Sequence, residues 1–200
     1  MDFRKKQYWK DLLKWYCYSF LGRHAGKLQT PMRQVIMQLQ IRNLLPERID
    51  ALEMFGMHGL WHTMDYVRYV DALDFFELDS VYLGLAKRKL SKYNVKFHCE
   101  DSIAYIERTE KKYSLIVSDS PFGGDFYDKD GLPYFLKDMV VHVAHNGVLI
   151  FNFANQDMPK LHYIERKINE IRKTEEVFMV VRHEQMSYIV VAFKESEAEH

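Results

Sequence analysis

From residue 49 onward the chain alternates between two hydrophobic periods, and few folds accommodate that. Short runs suited to strands, 49–55 (IDALEMF), 72–78 (ALDFFEL), 95–99 (VKFHC), 113–118 (YSLIVS) and 147–154 (GVLIFNFA), are separated by stretches of helical period at 59–70, 80–93, 101–110, 132–145 and 158–173. A strand that recurs after each helix has to run parallel to its predecessor. The expectation is therefore an α/β fold, a mostly parallel sheet with helices on both faces and right-handed crossovers. The last two strand-like runs, 176–183 and 187–193, have no helix between them. They predict a hairpin, so one terminal strand runs antiparallel.

Such a sheet binds its ligand beyond the carboxyl ends of its strands. Acids fall at four of those ends: Glu53 after the first strand, Glu77 after the second, Asp101 after the third and Asp119 after the fourth. Each also has a plain use as a helix cap or turn residue. Asp79 or Ser80 is placed to cap one helix, and Asp101 or Ser102 the next. Gly56 and Gly59 flank the first strand-to-helix turn, where backbone can approach a ligand and a helix N-terminus offers free N–H groups.

These ends resemble the motifs of class I S-adenosylmethionine-dependent methyltransferases. The stretch "ALEMFGMHG" (51–59) is similar to that family's first motif, with Phe55 in third place and Met57 where a glycine is usual. The resemblance implies a Rossmann-like sheet of seven strands, the last inserted antiparallel beside the fifth. It implies S-adenosylmethionine as cofactor, held by Glu53, Phe55, Gly56, Gly59, Glu77, Leu78, Asp101 and Ser102, with Glu77 on the ribose and Asp101 by the adenine. "DSPF" (119–122) is similar in three of four places to the D/N/S-P-P-Y/F segment of the amino-methyltransferase branch, with Ser120 for the first proline. By that likeness Asp119, Pro121 and Phe122 face the substrate. The acid and a carbonyl aimed by proline accept the hydrogens of an amine, and the aromatic stacks on it. "GKLQTP" (26–31) resembles the same branch's segment at the cofactor's methionine end, which would be contacted by Thr30 and Pro31; both also suit a helix cap and first turn.

Charge is distributed unevenly. Residues 1–48 carry 10 lysines and arginines against 3 acids, the remainder 18 against 25, so a neutral chain divides into +7 and −7. A basic arm that meets an anionic substrate and one that docks on its own acidic domain are both consistent with this. The run 7–22 lines up Tyr8, Leu12, Trp15 or Tyr16, and Phe20 as a stripe suited to packing. We expect a basic helical extension at 1–48, a methyltransferase-like domain at 49–194 and a disordered tail at 195–200. Two distant cysteines, Cys17 and Cys99, give neither a disulfide framework nor metal spacing, and no run is apolar enough to span a bilayer or act as a secretory signal. The expectation is a cytoplasmic protein without a metal. The histidine pairs 58/62 and 142/145 lack a third ligand for zinc.

The function expected is methyl transfer to an amine of a nucleobase or small metabolite. The alternatives are a non-catalytic methyltransferase-like subunit that binds a partner protein, and an aminopropyl-type transferase on the same fold. Substrate and oligomeric state are open at this stage.

Overall fold

The computed structural model describes residues 3, 5–14, 31–60, 62–119, 128, 131–154, 160–172, 175–182 and 186–194. Thr30, Ser120, Pro121, Phe122, the tail and the distal part of the aromatic stripe (Trp15, Tyr16, Phe20) lie outside them.

Seven strands form one sheet: β1 (Asp50–Met54), β2 (Ala72–Phe76), β3 (Val95–His98), β4 (Tyr113–Ser118), β5 (Val143–Ala154), β6 (Glu175–Arg182) and β7 (Met186–Lys194). Their order is β3-β2-β1-β4-β5-β7-β6. The first five are mutually parallel, and β7 is antiparallel to both β5 and β6. The alternation and the helix-free final pair thus fold as expected, with β7 beside β5. Strand order reverses between β1 and β4, which puts the topological switch point there.

The helices are α1 (residues 5–14), α2 (Pro31–Ile41), α3 (Thr63–Tyr66), α4 (Ser80–Leu90), α5 (Ser102–Arg108), α6 (Leu136–His142) and α7 (Leu161–Ile171), with a 3-10 turn Val67–Tyr69 after α3. Met32, Val35, Ile36 and Leu39 of α2 recur at helical spacing and join Leu83, Ala86 and Leu90 of α4 over one face of the sheet. Ile103 and Ile106 of α5, Met139 and Val140 of α6, and Ile164 and Ile168 of α7 cover the other. The central strands bury both faces, which is why they read as nearly continuous apolar runs. Among the described residues no helix is long and apolar enough to cross a membrane.

Two elements differ from the sequence expectation. The helix expected over 59–70 shrinks to the single turn α3 and its 3-10 extension, because Thr63 and Tyr66 turn inward onto a buried carboxylate of β1. The helix expected over 132–145 stops at His142. Val143 pairs with Tyr113, and the ladder then jumps to Leu115 opposite Val148, so residues 144–147 face the single residue Ser114, an excess of three. Asn146 takes up that excess in a left-handed conformation (φ 55°).

Candidate active site

The carboxyl ends of β1 to β4 finish level. Asp119 N–H donates to the Met54 carbonyl (3.3 Å), Gly56 N–H to Phe76 (2.9 Å) and Glu77 N–H to His98 (3.1 Å). The turn out of β1 is built from alternating left-handed residues: Phe55 (φ 61°), Met57 (φ 47°) and Gly59 (φ 68°). Only the last is a glycine, so the other two hold a conformation that costs a side-chain-bearing residue about 1–3 kcal/mol. Gly56 has another reason to be bare, since a Cβ there would stand 2.3 Å from the Phe75 ring.

Glu77 closes this turn. Its Oε2 accepts from Met57 N–H (2.8 Å) and its Oε1 from Asp79 N–H (2.6 Å), and the Leu78 N–H bonds to the same carboxylate. Partial burial pushes this carboxyl up, while the backbone N–H bonds pull it back. Next to it Leu78 stands 69% exposed, unusual for a leucine at the mouth of a strand. Asp79 caps α4 through Val81 N–H (2.8 Å). Asp101 is exposed and caps α5 through Ile103 N–H (2.9 Å), while Ser102 is buried. Phe55, half-buried, lies with its ring centroid 5.7 Å from that of Phe135.

Behind the turn lies a buried polar layer. The pleat puts Glu53, Asp119 and Asn152 on one face, and Asn152 pairs in register with Tyr188 of β7. Asp119 is half-buried. Asn152 donates to its Oδ1 (2.6 Å), and His62 Nε2 stands 3.5 Å from its Oδ2 and 3.3 Å from the Tyr188 hydroxyl. Burial first, and then the charge of Asp119, hold the Tyr188 hydroxyl well above its ordinary range. Among the described residues the Nδ1 of His62 is buried without a hydrogen-bond partner. Glu53 is 1% exposed. It accepts from the hydroxyls of Thr63 (2.7 Å) and Tyr66 (2.7 Å). Burial pushes its carboxyl up to about 8, against the opposing pull of those two bonds.

Helix α1 is seated on the same turn. His58 Nδ1 accepts from Leu60 N–H (3.4 Å), so the proton sits on Nε2, which donates to Asp11 Oδ2 (2.9 Å). Both side chains are buried, and Gln7 holds the two Asp11 oxygens from the preceding helical turn (2.9 Å each). The rings of Tyr8 and Tyr82 flank His58 edge-on.

Of the residues singled out from sequence, Phe55, Gly56, Gly59, Glu77, Leu78 and Asp119 gather at the carboxyl edge around the switch point, and Asp101 and Ser102 follow β3 at that same edge. Glu53 shares a face with Asp119 but not its exposure. It lies behind the turn, with its oxygens occupied from inside. Pro31 opens α2. Four residues of this neighbourhood were not legible as such: Asp11, His62, Asn152 and Tyr188. Asn152 left a trace, as the single polar residue in an otherwise apolar strand core, and Asp11 as the only acid between residues 3 and 46.

No protein-family model matches the chain, and no curated protein matches it by sequence. Solved structures do match by shape. A methyltransferase from Pyrococcus furiosus superposes with a TM-score of 0.59 at 16% identity, covering 97% of this chain and all (100%) of that one. A magnesium protoporphyrin IX methyltransferase from Synechocystis, solved with bound S-adenosylmethionine, gives 0.59 at 12% identity over 82% of this chain and 78% of its own. An N-methyltransferase from Bradyrhizobium japonicum gives 0.57 at 14% identity over 82% and 97%. At such identities the likeness is one of fold: the chain has the Rossmann-like fold of S-adenosylmethionine-dependent methyltransferases.

Proposed function

We propose that the protein binds S-adenosylmethionine at the turn 55–59 and Glu77, and transfers its methyl group to an amine nitrogen held at Asp119. One observation carries the reading: at the switch point, Phe55, Met57 and Gly59 of the motif-like stretch are all left-handed, and the turn they make is tied by Met57 N–H to the carboxylate that ends β2. Met57 therefore departs from the motif in its side chain but keeps its backbone.

The residues suit the cofactor. The Glu77 carboxylate, half-buried at the end of β2, is placed to accept from a ribose hydroxyl, and the exposed Leu78 offers an apolar surface to a purine. Asp101 and Ser102 border the adenine side; by the resemblance of GKLQTP, Thr30 and Pro31 would contact the methionine end. Glu53 acts from behind, holding α3 and the turn through Thr63 and Tyr66. When bound, the cofactor supplies a sulfonium methyl that is already electrophilic. What remains for the protein is to hold the amine in line and draw on its hydrogens. Asp119 is suited to that, with Asn152 fixing one oxygen and the other turned toward His62. Pro121 and Phe122 would add a fixed carbonyl and a stacking ring.

Titration calorimetry with S-adenosylmethionine and S-adenosylhomocysteine tests the reading. Saturable binding is expected, lost in Glu77→Ala and kept in Asp119→Ala. The same Asp119→Ala protein is expected to transfer labelled methyl roughly 100-fold more slowly. Absence of heat from the unaltered chain would leave a methyltransferase-like binding subunit. Preference for the decarboxylated cofactor would point to aminopropyl transfer.

A further inference from the structure

The inner side of α1 is accounted for by its seat on His58, but its outer side is not. Between residues 5 and 14 the one acid is Asp11, and it is buried against His58. The outward positions carry Lys5, Lys6 and Lys10, all exposed, and Lys14, also exposed. Among them stand three large apolar side chains: Phe3 (75% exposed), Trp9 (57%) and Leu13 (67%). A helix that needed only to pack on its own domain would have no use for those three in water.

We propose that this face docks single-stranded nucleic acid, so that the amine presented to Asp119 is that of a nucleobase. This rests, for its chemistry, on the methyltransferase reading. The arrangement of the side chains selects the ligand. At 100° per residue, Trp9 and Leu13 form one short row, Phe3 lies farther round, and Lys6 and Lys10 fall between them. A helix that lies on a membrane gathers its apolar groups in a single arc and moves its lysines to the flanks. Cations interleaved with flat or apolar groups match a chain of phosphates bearing stackable bases instead. Stacking needs bases that are not already paired, which favours a single strand over a duplex. The Asp11–His58 pair and the Tyr8 ring, 5.5 Å from Trp9, hold this face rigidly on the turn that leaves β1. A strand lying along α1 therefore runs beside the carboxyl edge of the sheet.

Fluorescence anisotropy with an end-labelled, mixed-sequence single-stranded RNA of about 12 nucleotides tests the proposal. Binding is expected to weaken linearly on a log–log plot against salt. Trp9→Ala should lower affinity about tenfold, and Lys6→Gln and Lys10→Gln should each reduce the slope by about 0.7. The proposal is overturned by no binding at about 50 mM salt, by binding that all three variants leave unchanged, or by capture of the protein on phosphatidylserine vesicles with no affinity for RNA. All three positions are exposed, so circular dichroism of the variants should match the parent. Calorimetry with S-adenosylhomocysteine separates the two ideas. Cofactor binding without RNA binding removes this surface alone, and RNA binding without cofactor binding removes the methyltransferase reading alone.

Discussion

The turn after β1 shows how much one atom can decide. Gly56 has an ordinary backbone, so glycine's conformational freedom is not what keeps it there; the Phe75 ring is. A methyl group at 56 would overlap Phe75 Cζ and Cε2 at 2.3–2.4 Å, and Phe75 is wholly buried among Leu73, Ala86 and Leu90 with nowhere to move. Gly56→Ala is therefore expected to destabilise the fold by about 2–3 kcal/mol in urea unfolding. Phe75→Leu in the same chain should recover part of that loss, as a favourable coupling in a double-mutant cycle. Additive losses would show that the ring is not the obstacle. From sequence, Gly56 reads as room for a ligand and Met57 as a departure. The conformations say otherwise: the glycine makes room for a phenylalanine of the next strand, and the methionine keeps the left-handed backbone expected of a glycine. A sequence records which side chain is present, not which dihedral it is made to adopt, so these two assignments were out of its reach.

At the scale of elements the legible part was large. Apolar runs gave the strands, helical spacing gave α4 and α7, and local chemistry put the caps at 79–80 and 101–102, where Asp79 and Asp101 hold them. What failed was governed by tertiary contacts. Nothing near residue 66 shows that Tyr66 will turn inward to Glu53 and cut α3 short, and nothing near residue 143 shows that Val143 will add to a ladder with Tyr113. The seating of α1 belongs with these, since Asp11 and His58 are 47 residues apart. Their bond is buried on both sides, so Asp11→Ala strands an imidazole N–H away from water. A cost of about 1.5–3 kcal/mol is expected, borne by the contact between α1 and the turn rather than by the sheet. In hydrogen exchange, amides 5–14 should lose protection by one to two orders of magnitude while β1, β4 and β5 keep theirs. Asp11→Asn retains an oxygen acceptor and should lose much less. Uniform loss of protection across the sheet would mean that α1 is part of the core.

For the molecule as a whole, two apolar layers enclose a sheet whose upper edge on one face is polar: Glu53, Asp119, Asn152 and Tyr188, under His62, Thr63 and Tyr66. Sequence reading could align acids with strand ends, but not see that β1 turns its acid inward. That inward acid makes global stability depend on pH. In the unfolded chain Glu53 titrates near 4.5, and in the fold burial pushes it up to about 8. Between those values the native state holds a proton that the unfolded state has released, so stability is greatest at the acid end and falls as pH rises. The slope approaches about 1.4 kcal/mol per pH unit while this one group differs fully in protonation. Asp74 has the opposite sign: despite the opposing effect of burial, its bonds with Lys111, His98 and Tyr113 hold its carboxyl below the usual value. Its contribution is lost only in stronger acid, outside this window. Glu77 is pushed up as well, but it is present in both proteins to be compared. Glu53→Gln imitates the protonated side chain and cannot ionise. Urea unfolding from about pH 5 to 8 should give a falling curve for the parent and a distinctly flatter one for the variant, with the variant the more stable near pH 8. Two parallel curves would mean that Glu53 is ionised in the fold, and that Thr63 and Tyr66 between them meet the cost of burying its charge.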